Sequence, residues 1–200
     1  MITRRTFIIR SSMGLAGIGF TGYSWRADHS AGNTLPLVIS TWPHGLAANE
    51  AAWKVLTNDG YALDAVEAGV RVSEADPGVN SVGYGGIPDA AGKVTLDASI
   101  MDERGRAGSV SYLQHIKHPI SVARLVMEKT PHVMLSGRGA LKFALGNGFK
   151  KEKLLTREAR ESWKIWKEED KGFKPVANSE NQEGDHDTIS MLAIDSRGRI

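Results

Sequence analysis

The sequence predicts a layered α+β fold. Two hundred residues, 41% hydrophobic and 24% charged, are enough for one domain with a sizeable core. Strand-like and helix-like runs come in blocks rather than in strict alternation, which argues against a doubly wound parallel sheet. Gly60, Pro77 and the glycine-rich stretch NSVGYGGIPDAAG, residues 80–92, punctuate the blocks.

The elements follow in order. LPLVISTW, residues 35–42, is an apolar run that reads as a buried strand. AANEAAWKVLTNDG reads as a helix ending near Gly60, with Ala48, Ala52, Val55 and Leu56 on one face. YALDAVEAGVRVSEADP reads as a second helix with a small-residue face of Ala62, Val66, Gly69, Val70 and Ser73, stopped by Pro77. Residues 94–101 and 108–113 read as a hairpin turning near Arg104 and Gly105. Pro119 suits the first turn of a helix running to about Lys129. PHVMLSG is a short strand, and RGALKFALGNG is a helix with Gly148 placed to close it. TREARESWKIWKEED is a charged helix, and Trp163 and Trp166 form a docking stripe on it. Residues 171–187 are a polar linker, and TISMLAIDSRGRI begins as a strand and enters a turn. That last run is half a hairpin, so the chain is expected to continue beyond Ile200.

Charge and cysteine narrow the function. The net charge is +2, but Arg4, Arg5, Arg10 and Arg26 against Asp28 give residues 1–31 a charge of +3, leaving about −1 for the rest. No basic field remains to attract nucleic acid or an anionic membrane. There is no cysteine, hence no thiolate nucleophile and no cysteine metal site. His115 and His118 lie three apart in HIKH with no third ligand nearby, and read as surface histidines before Pro119. SVGYGG has no following Lys-Ser/Thr and is not a phosphate loop; it lets backbone approach a site closely. The N-terminus pairs Arg4 with Arg5 ahead of a weak, glycine-rich apolar run, residues 13–23, too short to span a bilayer. TRRTFIIR resembles a twin-arginine export signal, so residues 1–31 are set apart as a leader to a periplasmic or secreted protein.

The polar linker gives way to the last strand at Thr188, preceded by His186 and Asp187. A threonine hydroxyl is a weak nucleophile until a base takes its proton. The free α-amine of the same residue can be that base, if the bond before it is cut. Taken by spacing alone, a threonine at a strand start after an Asx-type turn is also an ordinary structural feature.

HDTISMLAID resembles the cleavage signature of the glycosylasparaginases, the N4-(β-N-acetylglucosaminyl)-L-asparaginases of the N-terminal nucleophile hydrolase superfamily. LVISTWPHG, ALDAVEAGV, SVGYGGIPDAAGKVTLDASIMD and IKHPISVARLVMEKTPHVMLSGRGALKFAL are similar to that family in the same order, so the resemblance covers residues 35–200. It implies a four-layer αββα sandwich, incomplete here, with residues 32–187 as an α chain and 188–200 as the start of a β chain. It implies self-cleavage between Asp187 and Thr188, with His186, Asp187 and Thr188 in the processing site and Thr188 as the catalytic nucleophile. Trp42 and Ser81 match substrate-pocket residues. The implied substrate is a small glyco-asparagine, and the implied partners are the protein's own β chain and a second αβ unit. Neither metal nor cofactor is expected, and no membrane contact once the leader is gone. Two departures stand out: Ser190 where the family usually has glycine, and His44 where its bacterial examples can carry phenylalanine. Two other readings are kept. One is a plant-type asparaginase or isoaspartyl peptidase, against which Trp42 argues; the other is an exported binding module without activity.

Overall fold

The structure is a computed structural model describing residues 35–169 and 188–200. The expected leader and linker, with His186 and Asp187, lie outside the described residues. Among the described residues five helices and five strands follow one another as β1 (Leu37–Ser40), α1 (Gly45–Leu56), α2 (Ala62–Ala75), β2 (Leu96–Met101), β3 (Ala107–Leu113), α3 (Pro119–Lys129), β4 (Met134–Ser136), α4 (Gly137–Gly146), α5 (Arg157–Glu169) and β5 (Met191–Ile194).

Two sheets organise them. β1 pairs antiparallel with β5, in the register Leu37↔Ile194 to Ser40↔Met191. β3 is central in the second sheet, antiparallel to β2 and parallel to β4. Helices α1 and α2 pack on each other and on β1 and β5 respectively, while α3 covers β2 and β3, and α4 lies on β3 and β4. The core between α3 and its sheet is made by Val110, Leu113, Ile116, Val122 and Val126, each almost fully buried. Burial of each such side chain is worth about 1.5–3 kcal/mol relative to exposure. Gly69 lets α2 close onto β5 and α1, because a Cβ there would sit 2.6 Å from the Met191 sulfur and 2.7 Å from the Ala48 carbonyl oxygen. Arg124 on α3 bridges to Asp64 and Glu67 of α2 as well as to Glu128, tying the two helices together.

Several boundaries differ from the sequence reading. The first strand is four residues rather than eight, and only one of its faces is covered. Leu37 and Ile39, with Leu192 across the ladder, are exposed, whereas Met191 and Ala193 face the helices and are buried. The last strand begins at Met191 rather than Thr188. His118 is not a surface histidine: only 20% of its side chain is exposed, and its Nδ1 lies 3.2 Å from Glu74 Oε2. Of the two tryptophans on α5, Trp163 packs against the turn at Gly92, and Trp166 is about half exposed.

The two turns that follow β2 and β5 are copies of each other. Both read Asp-x-Arg-Gly-Arg: Asp102 to Arg106, and Asp195 to Arg199. In each, the Asp N–H donates to the carbonyl of the second Arg, and the Gly N–H donates back to the Asp carbonyl. In each, one carboxylate oxygen accepts the N–H of both arginines and the other accepts the Nε of the second at 2.7 Å. Gly105 and Gly198 take φ of 74° and 76°, the left-handed conformation that closes a three-residue hairpin loop. Tyr61 joins the pair: its hydroxyl donates to Glu103 in one turn, and its ring lies under the Arg199 guanidinium of the other, 4.5 Å from ring centre.

Candidate active site

Thr188 reaches its place through the β1–β5 ladder. Two residues downstream, Ser190 is held twice by Thr41: the Thr41 N–H donates to the Ser190 carbonyl at 3.0 Å, and the Ser190 N–H donates to Thr41 Oγ1 at 3.0 Å. This pairing extends the ladder one step past Ser40 and Met191. It fixes the backbone next to the exposed Thr188 even though the strand proper has not begun.

Residues 188–192 form one wall of a cavity of about 880 Å³. Ser81, Val82 and Gly83 of the glycine-rich loop form another, and strands β2 and β3 supply Asp97, Ser99, Ser109 and Ser111. The structure therefore brings Thr188 and Ser81 to the same cavity. Gly83 has φ of 62°, and a Cβ there would overlap the carbonyl oxygen and Cα of Glu74. Glycine is needed at this point because the loop runs against the backbone of α2. Trp42, with φ of 66°, immediately follows Thr41 but is not part of the cavity wall. His44 points elsewhere as well, with its Nδ1 3.2 Å from the buried Ser73 hydroxyl, so this departure does not alter the wall.

The cavity wall mixes apolar and polar side chains and is lightly acidic. Glu74 and Asp97 are its ionisable groups, and its wall holds no histidine, lysine or arginine among the described residues. Asp97 also serves the sheet. A bulge interrupts the β2–β3 register opposite it, Tyr112 takes φ of 51°, and the Tyr112 N–H donates to Asp97 Oδ1 at 2.7 Å. Burial pushes the Glu74 carboxyl up, against the opposing pull of His118 and the Ile120 N–H. Among the described residues no grouping of three or more acidic, histidine or cysteine side chains could hold a metal. No helix there is long and apolar enough to cross a membrane.

Sequence reasoning missed Glu74, Thr41 and the row of hydroxyls on the second sheet. The row was within reach of a period-of-two reading. LDASIM and AGSVSYL put Asp97, Ser99, Ser109 and Ser111 on the face opposite Leu96, Ile100, Gly108 and Val110.

Residues 44–200 match the family model described as Asparaginase. The chain belongs to the asparaginase family. Within it, the chain stands with the glycosylasparaginases. It is 54% identical over 201 residues to the N(4)-(β-N-acetylglucosaminyl)-L-asparaginase of Elizabethkingia miricola, an alignment covering 98% of this chain and 58% of that protein. Its identity to the enzyme of the same name from Rattus norvegicus is 47% over 135 residues, 67% of this chain and 39% of that one. A protein described as a putative N(4)-(β-N-acetylglucosaminyl)-L-asparaginase in Drosophila melanogaster is 36% identical over 88% of this chain and 53% of its own. The chain thus spans 58%, 39% and 53% of the lengths of these three relatives, and the match to the Elizabethkingia miricola enzyme, covering 98% of this chain, runs across the glycine-rich loop and Thr188 alike.

Proposed function

We propose that the full-length protein is an exported amidohydrolase that cuts its own chain before Thr188. It then hydrolyses the amide bond between N-acetylglucosamine and an asparagine side chain. The observation that carries this reading is the meeting of Thr188 and Ser81 in one cavity, in a chain whose relatives bear the glycosylasparaginase name. The Thr188 hydroxyl must lose its proton before its oxygen can attack, and that proton needs an acceptor. The α-amine that cleavage frees on the same residue would be that acceptor.

The chemistry balances in two stages. In maturation, Thr188 Oγ1 attacks the Asp187 carbonyl carbon, the peptide C–N bond breaks, and the acyl group moves to oxygen. The hydroxyl proton goes to the nitrogen, which becomes the free Thr188 amine, and water then hydrolyses the ester to a carboxyl group on Asp187 and the restored Thr188 hydroxyl. His186 and Asp187 present the bond, and stay on the departing chain. In turnover, the amine takes the hydroxyl proton while Oγ1 attacks the substrate's side-chain carbonyl. The same proton passes to the leaving glycosylamine nitrogen, and water releases aspartate from the β-aspartyl ester.

In this reading the exposed face of Leu37, Ile39 and Leu192 packs against the rest of a four-layer αββα sandwich supplied by the β chain, with two αβ units forming a dimer. Trp42, outside the cavity wall but next to Thr41 at the strand end, is taken to reach the substrate from there as the resemblance implies, and the paired Arg4 and Arg5 to direct export to the periplasm or beyond. The test is the intact mass and N-terminal sequence of the purified full reading frame. The expected product is two chains, the second beginning at Thr188, with hydrolysis of aspartylglucosamine. Thr188→Ala should give one uncut, inactive chain, and Thr188→Ser and Thr188→Cys should still cut. Cleavage persisting in Thr188→Ala, or hydrolysis by uncut wild type, overturns the mechanism. Preferred hydrolysis of β-aspartyl dipeptides would move the substrate to the isoaspartyl peptidase class.

A further inference from the structure

We propose that Glu74 is a positioning residue for the nucleophile site, its backbone seating the loop that carries Ser81 and its carboxylate locking that seat to the first turn of α3. The inference rests on the role given above to Thr188.

Glu74 lies in the last turn of α2 and is 2% exposed. A carboxylate so buried is costly unless its oxygens are bonded. Oε1 accepts the Ile120 N–H at 2.9 Å, and Oε2 lies 3.2 Å from His118 Nδ1. Ile120 is the second residue of α3, so its N–H is one of the helix donors that no intrahelical carbonyl can serve. On its other side, the Glu74 carbonyl accepts the Tyr84 N–H at 2.8 Å, and Gly83 lies flat on the Glu74 backbone. One residue therefore touches α2, the glycine-rich loop and α3 at once. Glu74, Ser81, Gly83, Ile120 and Thr188 all line the same cavity.

Capping α3 does not by itself call for this arrangement. A serine, threonine or aspartate at the N-cap would serve locally, yet that position is His118, which makes no capping bond, and the acceptor comes from another helix. What the long-range carboxylate adds is a fixed distance between the Ser81 loop and the rest of the cavity. A shift of about 1 Å in such a support can lower a rate by as much as a hundredfold.

The test uses the full reading frame and three substitutions. Glu74→Ala should cut at 187/188 about ten- to a hundredfold more slowly than wild type. Once matured, it should lose kcat by a similar factor, with KM changed by less than about twofold. Glu74→Gln keeps an acceptor for the Ile120 N–H and should recover to within about threefold. Amide hydrogen exchange supplies a readout that needs no activity. In Glu74→Ala, protection at residues 81–86 and 188–192 should fall together with protection at 118–122. If only 118–122 loosen, Glu74 is a helix cap and nothing more, and the proposal is overturned whether or not the wild type is active. Wild-type rates in Glu74→Ala overturn it too, as does a Glu74→Gln variant as impaired as Glu74→Ala, since charge and not placement would then be at stake. Should Glu74→Ala fail to fold, Glu74→Asp, one methylene shorter, must show the same coupled loosening, and unchanged exchange there overturns the proposal. A wild type that never cuts at 187/188 refutes the role of Thr188, while the exchange data still decide the coupling.

Discussion

Removing the Asp195 carboxylate should loosen the whole second turn. The side chain has no exposed surface and accepts three hydrogen bonds, from the N–H groups of Arg197 and Arg199 and from Arg199 Nε. Hydrogen bonds to a charged group contribute about 1.5–3 kcal/mol each in isolation, and they are not additive. Arg199 keeps 35% of its side chain exposed and can turn to water, so its share is small. The two backbone donors remain, near the protein surface where water can reach them once the turn opens. The expected cost of Asp195→Ala is about 2–3 kcal/mol. At about 2–4 °C per kcal/mol for a protein of this size or larger, the full-length melting temperature should fall by about 4–12 °C. Asp195→Asn keeps one acceptor oxygen but sets an amide donor against Arg199 Nε, and should cost about half as much. The effect has a pH signature. Burial alone would raise the Asp195 carboxyl, but the N–H groups of Arg199 and Arg197 and the Arg199 guanidinium outweigh it and hold it below the ordinary value of 3.8. A carboxyl lowered in the folded state stabilises the fold above its unfolded value, and that stabilisation disappears as pH falls through the folded value. The gap between wild type and Asp195→Ala should thus be full at pH 7 and close progressively below about pH 4. Thermal melts of both proteins across this range measure it. A melting point within 2 °C of wild type at neutral pH, or a gap that widens in acid, refutes the reasoning.

Other substitutions follow from the same geometry. Asp102→Ala, in the twin turn, should cost a similar amount at neutral pH; a null effect beside a large one at Asp195 would show that the two copies are not equivalent. Gly83→Ala forces a Cβ into the Glu74 backbone at a positive φ, and should lower soluble yield and slow both cleavage and turnover, measured on matched preparations. Gly69→Ala should destabilise by about 1–3 kcal/mol, because the Ala48 carbonyl 2.7 Å from the added carbon cannot move aside as the Met191 side chain can; an unshifted denaturation midpoint would contradict it. Changing Arg4 and Arg5 together to lysine should leave the precursor in the cytoplasm, and undiminished export in a fractionation blot would remove the twin-arginine reading.

How much of this was legible depends on where the controlling force is local. α2 was read almost to the residue because its small-residue face, its Pro77 stop and its amphipathic spacing all sit within one stretch of chain. α3 was equally clear, since Pro119 marks its start. The turn at Gly105 announced itself by composition. β1 was overread because an apolar run specifies burial on both faces, whereas here one face of Leu37 and Ile39 has no cover among the described residues. His118 was misjudged for the opposite reason: its environment is made by Glu74, 44 residues away, and nothing near it in the sequence signals a buried carboxylate. The glycine-rich loop was correctly taken as a place of close backbone approach, but what it approaches is α2 as well as the cavity. Thr188 stands out as a change of texture and through the resemblance of HDTISMLAID to a cleavage signature, whereas Thr41, which pairs with Ser190 149 residues away, lies beyond any local pattern.

The ladder that holds Ser190 to Thr41 spans 149 positions of the chain. A ribosome adding about 5–20 residues per second needs roughly 7–30 s to cover that stretch. Throughout it β1 waits as a single four-residue strand with neither edge paired among the described residues, the condition that invites pairing with the wrong chain. β5 is the last strand of the described fold to be made, and with it comes the wall of the cavity. If the chain cuts itself at 187/188 as proposed, that bond has no chamber to react in until synthesis has passed it and β5 has paired with β1, so the order of translation would itself delay the cut.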